Sequence, residues 1–135
     1  MSTTQIAKPV RVGFIGCGGI AQGHLRALHE NPHASVAAVC DVNRPAADRA
    51  AERYEAEVYT AYQAMLDHAD LDAVYLCLPP FAHGEIEETV IDRRLPFFVQ
   101  KPVALDLATA RAIAAAARKK GLITGVGYQL RYSGS

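Results

Sequence analysis

Five short apolar runs recur along the chain, at residues 10–15, 35–40, 73–78, 96–99 and 122–127. They are continuous, not alternating. A strand with one wet face alternates, whereas a strand covered on both faces does not, so these runs predict a parallel sheet with helices above and below. A weaker run at 57–60 predicts an edge strand. Between the runs lie segments with helical spacing. Residues 20–30 place Leu25 and Leu28 on one side and stop at Asn31-Pro32. Residues 44–55 are Ala-rich, with Pro45 in the first turn. Residues 61–68 predict a short helix, and 82–94 carry Ile86, Val90 and Ile91 at helical intervals. The last helix, 106–120, has Asp106 as its N-cap, Arg118-Lys119-Lys120 in its last turn and Gly121 just beyond, a charge order that suits the helix dipole.

Six strands therefore alternate with five helices. With right-handed crossovers this is an α/β fold, a doubly wound six-stranded parallel sheet in the order 3-2-1-4-5-6 with helices on both faces. Residues 9–128 form one domain on this reading, with residues 1–8 and 129–135 as tails.

Composition narrows the partners. Half of the 135 residues are hydrophobic, and 14 basic residues balance 14 acidic ones. A nucleic-acid or anionic-membrane partner calls for a basic surplus, so neither is expected. Cys17, Cys40 and Cys77 are widely spaced and lack a C-x-x-C pair, which argues against a zinc site or a disulfide framework. The first residues carry no apolar signal segment and no run reaches membrane length. A reducing cytoplasm is the expected setting.

The first strand runs into Gly16-Cys17-Gly18-Gly19-Ile20-Ala21, a G-x-G-x-x-A match. Gly16 permits a tight turn, Gly18 lets the backbone approach a pyrophosphate, and Ala21 is small enough for helix–strand packing. Gly16, Cys17, Gly18, Gly19 and Ile20 are thus the candidates for phosphate contact. Asp41 stands at the tip of the second strand, where it would accept hydrogen bonds from the adenosine ribose and repel a 2′-phosphate. That favours NAD. Arg44 keeps NADP open, because a guanidinium three residues on would pair with that phosphate. Glu85, Glu87 and Glu88 are expected on a solvated helix face. No G-x-S-x-G elbow surrounds any serine, so a hydrolase reading fails.

The fourth strand ends in Leu78-Pro79-Pro80, followed by Phe81-Ala82-His83-Gly84-Glu85, and the fifth in Gln100-Lys101-Pro102. Both ends fall at the carboxyl edge, where open α/β sheets bind ligands. Taken in order, GCGGIA, CDVN, LPPFAHGE, QKPVAL and VGYQLRY resemble the N-terminal half of the glucose–fructose oxidoreductase / inositol dehydrogenase / MocA family, over roughly residues 9–132. The resemblance implies an NAD(P)-dependent oxidoreductase acting on sugars, cyclitols or related alcohols. It implies that Leu78, Pro79, Pro80 and His83 line the cofactor near its nicotinamide half, although His83 also reads as an ordinary half-buried histidine. Lys101 matches the family's Glu-Lys-Pro lysine beside the reacting hydroxyl, in a bond to Pro102 that the motif implies is cis. Gln129 matches a polar position near the nicotinamide. Gln100 departs from the family's usual Glu, and a neutral amide orients Lys101 less firmly than a carboxylate does.

In the family the remaining catalytic groups come from a second domain that begins where residues 129–135 lie. The expectation for these 135 residues is cofactor binding with little or no turnover. Two alternatives stand beside it. One is a non-catalytic module that self-associates into a homo-oligomer through exposed apolar surface. The other is a Rossmann-like domain for S-adenosylmethionine, against which the Pro-Pro-x-x-His and Gln-Lys-Pro segments argue.

Overall fold

The structure, a computed structural model, describes residues 8–128. Strands β1 (Val10–Ile15), β2 (Ala34–Cys40), β3 (Glu57–Tyr59), β4 (Ala73–Leu76), β5 (Phe97–Gln100) and β6 (Thr124–Gly127) alternate with helices α1 (Gly19–Glu30), α2 (Arg44–Tyr54), α3 (Tyr62–His68), α4 (Glu85–Asp92) and α5 (Leu107–Lys119). The strands form one sheet in the order β3-β2-β1-β4-β5-β6. All five pairings are parallel. This is the doubly wound sheet that the rhythm of apolar runs predicts.

The continuous runs have the cause inferred for them, since successive strand residues enter different cores. On one face, Val12, Phe14, Val36 and Val39 pack against Ala21 and Leu25 of α1 and Ala50 and Tyr54 of α2. On the other, Val74, Leu76, Phe97 and Val99 meet Met65 of α3, Val90 and Ile91 of α4, and Ile113 and Ala117 of α5. Phe14 and Leu25 are fully enclosed. Each such side chain contributes about 1.5–3 kcal/mol relative to exposure. A bulge shifts the β1–β2 register between Val12 and Gly13, with Val12 opposite Val36 and Gly13 opposite Ala38.

Asp106 caps α5 as expected, its carboxylate accepting from the Thr109 N–H at 2.8 Å. The fourth helix differs. Pro80–Ala82 form a 3₁₀ turn, Gly84 takes φ +123°, and α4 begins only at Glu85. Two prolines in series stiffen the exit from β4. Glycine's positive φ then re-aims the chain, so helical spacing upstream of Glu85 does not become α-helix. The chain builds outward from β1 to β3 and returns to lay β4 on the other side of β1. The loops after β1 and β4 therefore diverge at the carboxyl edge and leave a crevice between them, the ligand position in folds of this kind.

Candidate functional site

The crevice is floored by the glycine loop between β1 and α1. Gly16 has φ +99°, and a Cβ built on it would lie 2.1 Å from the Cys77 carbonyl oxygen. Its N–H donates to Cys40 O at 2.8 Å, so this glycine is locked between the ends of β2 and β4. Gly18 and Gly19 are different, because a Cβ on either would meet nothing within 4 Å. Gly18 is the N-cap of α1 and, having no side chain, leaves the first-turn N–H groups uncapped. Ile20 is exposed and Ala21 is buried against the sheet. An uncapped helix start beside two glycines facing open space is a cradle that fits a pyrophosphate.

Asp41 fastens this loop to the tip of β2. Its Oδ2 accepts the Cys17 N–H at 2.9 Å and its Oδ1 accepts the Asn43 N–H at 2.8 Å. Each oxygen retains a lone pair, so the carboxylate is oriented yet still able to accept from ribose hydroxyls. Beside it opens a mostly apolar cavity of about 530 Å³, walled by Cys40, Val42, Leu78, Pro79 and Phe81. Its size and lining fit an adenine-sized aromatic ring. Leu78 and Pro79 thus reach the crevice through this wall, and Pro80 begins the 3₁₀ turn behind it.

All three cysteines are free. Burial pushes Cys17 up to about 12, helped by the negative charge of Asp41. Burial raises Cys40 to about 11, again with help from Asp41, and raises Cys77 to about 11. The floor of the groove therefore carries neutral thiols at physiological pH, with no thiolate to repel a phosphate and no activated nucleophile.

At the ends of β4 and β5 the structure rearranges several expected residues. His83 and Glu87 pair through the imidazole Nδ1 and a carboxylate oxygen, and both side chains are fully enclosed. The second Glu87 oxygen accepts the Gly84 N–H at 2.6 Å. Glu87 is therefore no part of a solvated face, which corrects the expectation for the Glu85, Glu87 and Glu88 group. Helical spacing four residues from His83 and three from Gly84 turns it inward, where the capping bond and the imidazole satisfy it. His83 is not among the groups walling the apolar cavity, and its Nε2 is buried without a partner among the described residues.

Gln100 is also buried. Its side chain lies across β6, so close that a Cβ on Gly127 would fall 2.1 Å from Oε1. That oxygen has no hydrogen-bond partner among the described residues, and Gln100 makes no bond to Lys101. Lys101 is exposed at the carboxyl edge and its bond to Pro102 is cis, as the motif implies. Arg44 is drawn away from the crevice, its Nε donating to Asp48 Oδ1 at 2.8 Å. Gln129 lies outside the described residues. His24 sits in an aromatic cluster with Tyr75 and Phe98, whose rings stack at 4.6 Å, and burial lowers its pKa.

Two groups at the site escaped the sequence reading. Glu87 was signalled by its four-residue spacing from His83. Arg49 and Arg53 line a second cavity beside Asp41. Their spacing with Ala46 at 46, 49 and 53 puts all three on one face of α2. Among the described residues no group of three or more His, Cys, Asp or Glu side chains could hold a metal ion, and no helix is long and apolar enough to cross a membrane.

A six-stranded parallel sheet, a phosphate-sized cradle at an uncapped helix start and a carboxylate on the tip of β2 define a Rossmann-type dinucleotide-binding domain. The profile of the GFO_IDH_MocA oxidoreductase family, NAD-binding Rossmann fold, matches residues 10–128, and the chain belongs to that family. Inositol 2-dehydrogenase of Rhizobium meliloti is 36% identical over 103 residues, covering 76% of this chain and 31% of that protein. Among solved structures, KijD10, a 3-ketoreductase from Actinomadura kijaniata in complex with NADP, superposes with a TM-score of 0.86 at 32% identity, covering 93% of this chain and 41% of that one. The WlbA dehydrogenase from Chromobacterium violaceum, in complex with NADH and UDP-GlcNAcA, gives a TM-score of 0.88 at 28% identity, covering 92% of this chain and 36% of that one. The chain spans well under half the length of the curated relatives it matches, 36% to 39% of the first three.

Proposed function

We propose that this domain binds a nicotinamide dinucleotide for an oxidoreductase acting on a sugar, cyclitol or related alcohol. The observation that carries the proposal is the pairing of an open cradle at Gly18 and Gly19 with Asp41 anchored to the same loop. Uncapped N–H groups at the start of α1 hold the pyrophosphate, Asp41 accepts from the adenosine ribose, and the apolar wall of Val42, Leu78 and Pro79 takes the adenine. When bound, the nicotinamide accepts or donates a hydride.

Lys101 is assigned the proton step. From its exposed position at the carboxyl edge it exchanges a proton with the substrate hydroxyl at Nζ as that hydroxyl becomes a carbonyl, or the reverse. With Gln100 turned across β6, Lys101 gets no orientation from its neighbour, so it depends on the substrate and on groups beyond residue 128 for alignment. In the 135-residue chain the lysine stands in water, and dinucleotide binding is expected without appreciable turnover. The readings as a self-associating module and as an S-adenosylmethionine domain receive no specific support from the site.

Calorimetric titration of the 135-residue chain with NADH and NADPH tests the proposal. Saturable binding of at least one is expected. Binding of S-adenosylmethionine with neither dinucleotide would overturn it.

A further inference from the structure

The glycine loop is held from two sides. On the β2 side, the Gly16 N–H donates to Cys40 O at 2.8 Å and the Cys17 N–H to Asp41 Oδ2 at 2.9 Å. On the other side, a side chain from the first turns of α1 reaches back to the loop. Nε2 of Gln22 donates to Cys17 O at 3.0 Å and lies 3.5 Å from Gly18 O. Cys17 is thus fastened at both its N–H and its carbonyl. Beyond it the tethers stop. The Gly18 N–H has no hydrogen-bond partner among the described residues, and no side chain caps the start of α1.

Glycines at 16, 18 and 19 give this stretch little backbone preference of its own, so its peptide planes need an outside handle. A trans peptide unit is planar and rigid, and holding its carbonyl fixes the N–H at its other end. The Cys17 carbonyl shares a plane with the Gly18 N–H, and the Gly18 carbonyl shares one with the Gly19 N–H. The two hydrogens of one carboxamide therefore set the direction of two donors at the mouth of the cradle. The chemistry of this side chain matters as much as its reach. A carboxamide satisfies a carbonyl without bringing charge. A carboxylate of the same length has no donor to give and would repel a phosphate. Accordingly α1 has no acidic residue in its first turn, whereas α4 has Glu85, Glu87 and Glu88 there.

We propose that Gln22 is a positioning residue for the pyrophosphate, holding the Cys17–Gly18 and Gly18–Gly19 peptide planes in the orientation that receives it while making no bond to the dinucleotide itself. The inference rests on the reading of the groove as a nicotinamide dinucleotide site. A loop set in advance lowers the ordering cost of binding, and this one does so for the phosphates alone, because the adenosine contacts lie on β2 and β4.

The test is binding by the 135-residue chain and by its Gln22→Ala and Gln22→Glu variants, with NADH, ADP and adenosine as probes. Gln22 is exposed and alanine is the better helix former, so Gln22→Ala should keep α1 intact, as circular dichroism checks. Gln22→Ala is expected to weaken NADH and ADP roughly three- to tenfold, the worth of a neutral hydrogen bond, with adenosine changed less than about twofold. Gln22→Glu, equal in length but without the donor, is expected to lose more than the alanine variant. In nitrogen–proton correlation spectra of the free variants, the Gly18 and Gly19 amide signals should shift or broaden, and they should move back towards wild type when NADH binds. Three results would each overturn the positioning role and leave the dinucleotide reading standing. These are NADH affinity within about twofold of wild type in either variant, equal losses for adenosine and NADH, and unmoved Gly18 and Gly19 signals. Wild type that binds neither NADH nor ADP overturns both.

Discussion

Glu87 closes two bonds with one carboxylate, pairing with Nδ1 of His83 and accepting the Gly84 N–H at 2.6 Å, with both side chains fully enclosed. A buried partner cannot be removed alone without stranding the other. Glu87→Ala should therefore lower the unfolding free energy by about 3 kcal/mol or more. His83→Ala/Glu87→Ala should cost less than the sum of the single changes, with a coupling of roughly 1 kcal/mol or more. Urea denaturation of the four proteins measures the cycle; additive losses would show that the two residues act independently.

The glycine loop separates folding from binding. Gly16→Ala places a methyl group 2.1 Å from the Cys77 carbonyl in a residue held at φ +99°, so a loss of at least about 3 kcal/mol is expected. Gly18 has φ −73° and open space around it, so Gly18→Ala should leave stability within about 1 kcal/mol. Dinucleotide affinity should nevertheless fall in the Gly18 variant, because its methyl group occupies the space of the phosphates. Melting curves and titrations on both variants check the contrast.

The three thiols give the protein an alkaline limit. Their ordinary value is 9.0, and folding raises Cys17 to about 12 and Cys40 and Cys77 to about 11. Below 9.0 both states keep the protons and the thiols leave stability unchanged with pH. Above it the unfolded chain releases protons first, so stability falls as pH rises towards the folded values. Tyr75, raised by burial from 10.0, adds to the same loss. Urea midpoints across this range should decline, and replacing all three cysteines by alanine should flatten the decline.

Lys101 is exposed and makes no ion pair among the described residues. Lys101→Ala should change stability by less than about 0.5 kcal/mol. Its affinity for NADH should stay near that of the wild type in the 135-residue chain. In a protein carrying the remaining length of its relatives, the same change should abolish most turnover with little effect on dinucleotide affinity. A large loss of dinucleotide affinity in the short chain would instead make Lys101 a binding residue.

Strand order was legible in the sequence because burial on both faces leaves its mark on every residue of a strand. The doubled cores made each run continuous, and right-handed crossovers left little choice of order. Gly16 and Asp41 were legible for a related reason, since a backbone turn and a strand tip are local features. The helix before Glu85 was misread because the 3.6-residue period of Ile86, Val90 and Ile91 says nothing of where the helix starts. That boundary is set by Pro79, Pro80 and the positive φ of Gly84. Glu87 was misread because charge was equated with exposure, while its partner His83 lies on the same element and could be weighed only with both in place. Arg44 was a candidate only for its nearness to Asp41 along the chain. In the helix its i+4 neighbour Asp48 claims it, and Arg49 and Arg53, further on in sequence, face the cavity.

The seating of Gly16 against Cys77 has a mechanical consequence. The Cys77 N–H donates to Ile15 O at 2.9 Å, and the Gly16 N–H donates to Cys40 O at 2.8 Å. The exit of β1 is thereby bolted to the strands on either side of it, and the contact leaves no slack for a methyl group. The floor of the crevice is thus held on both sides at the seam between β1 and β4.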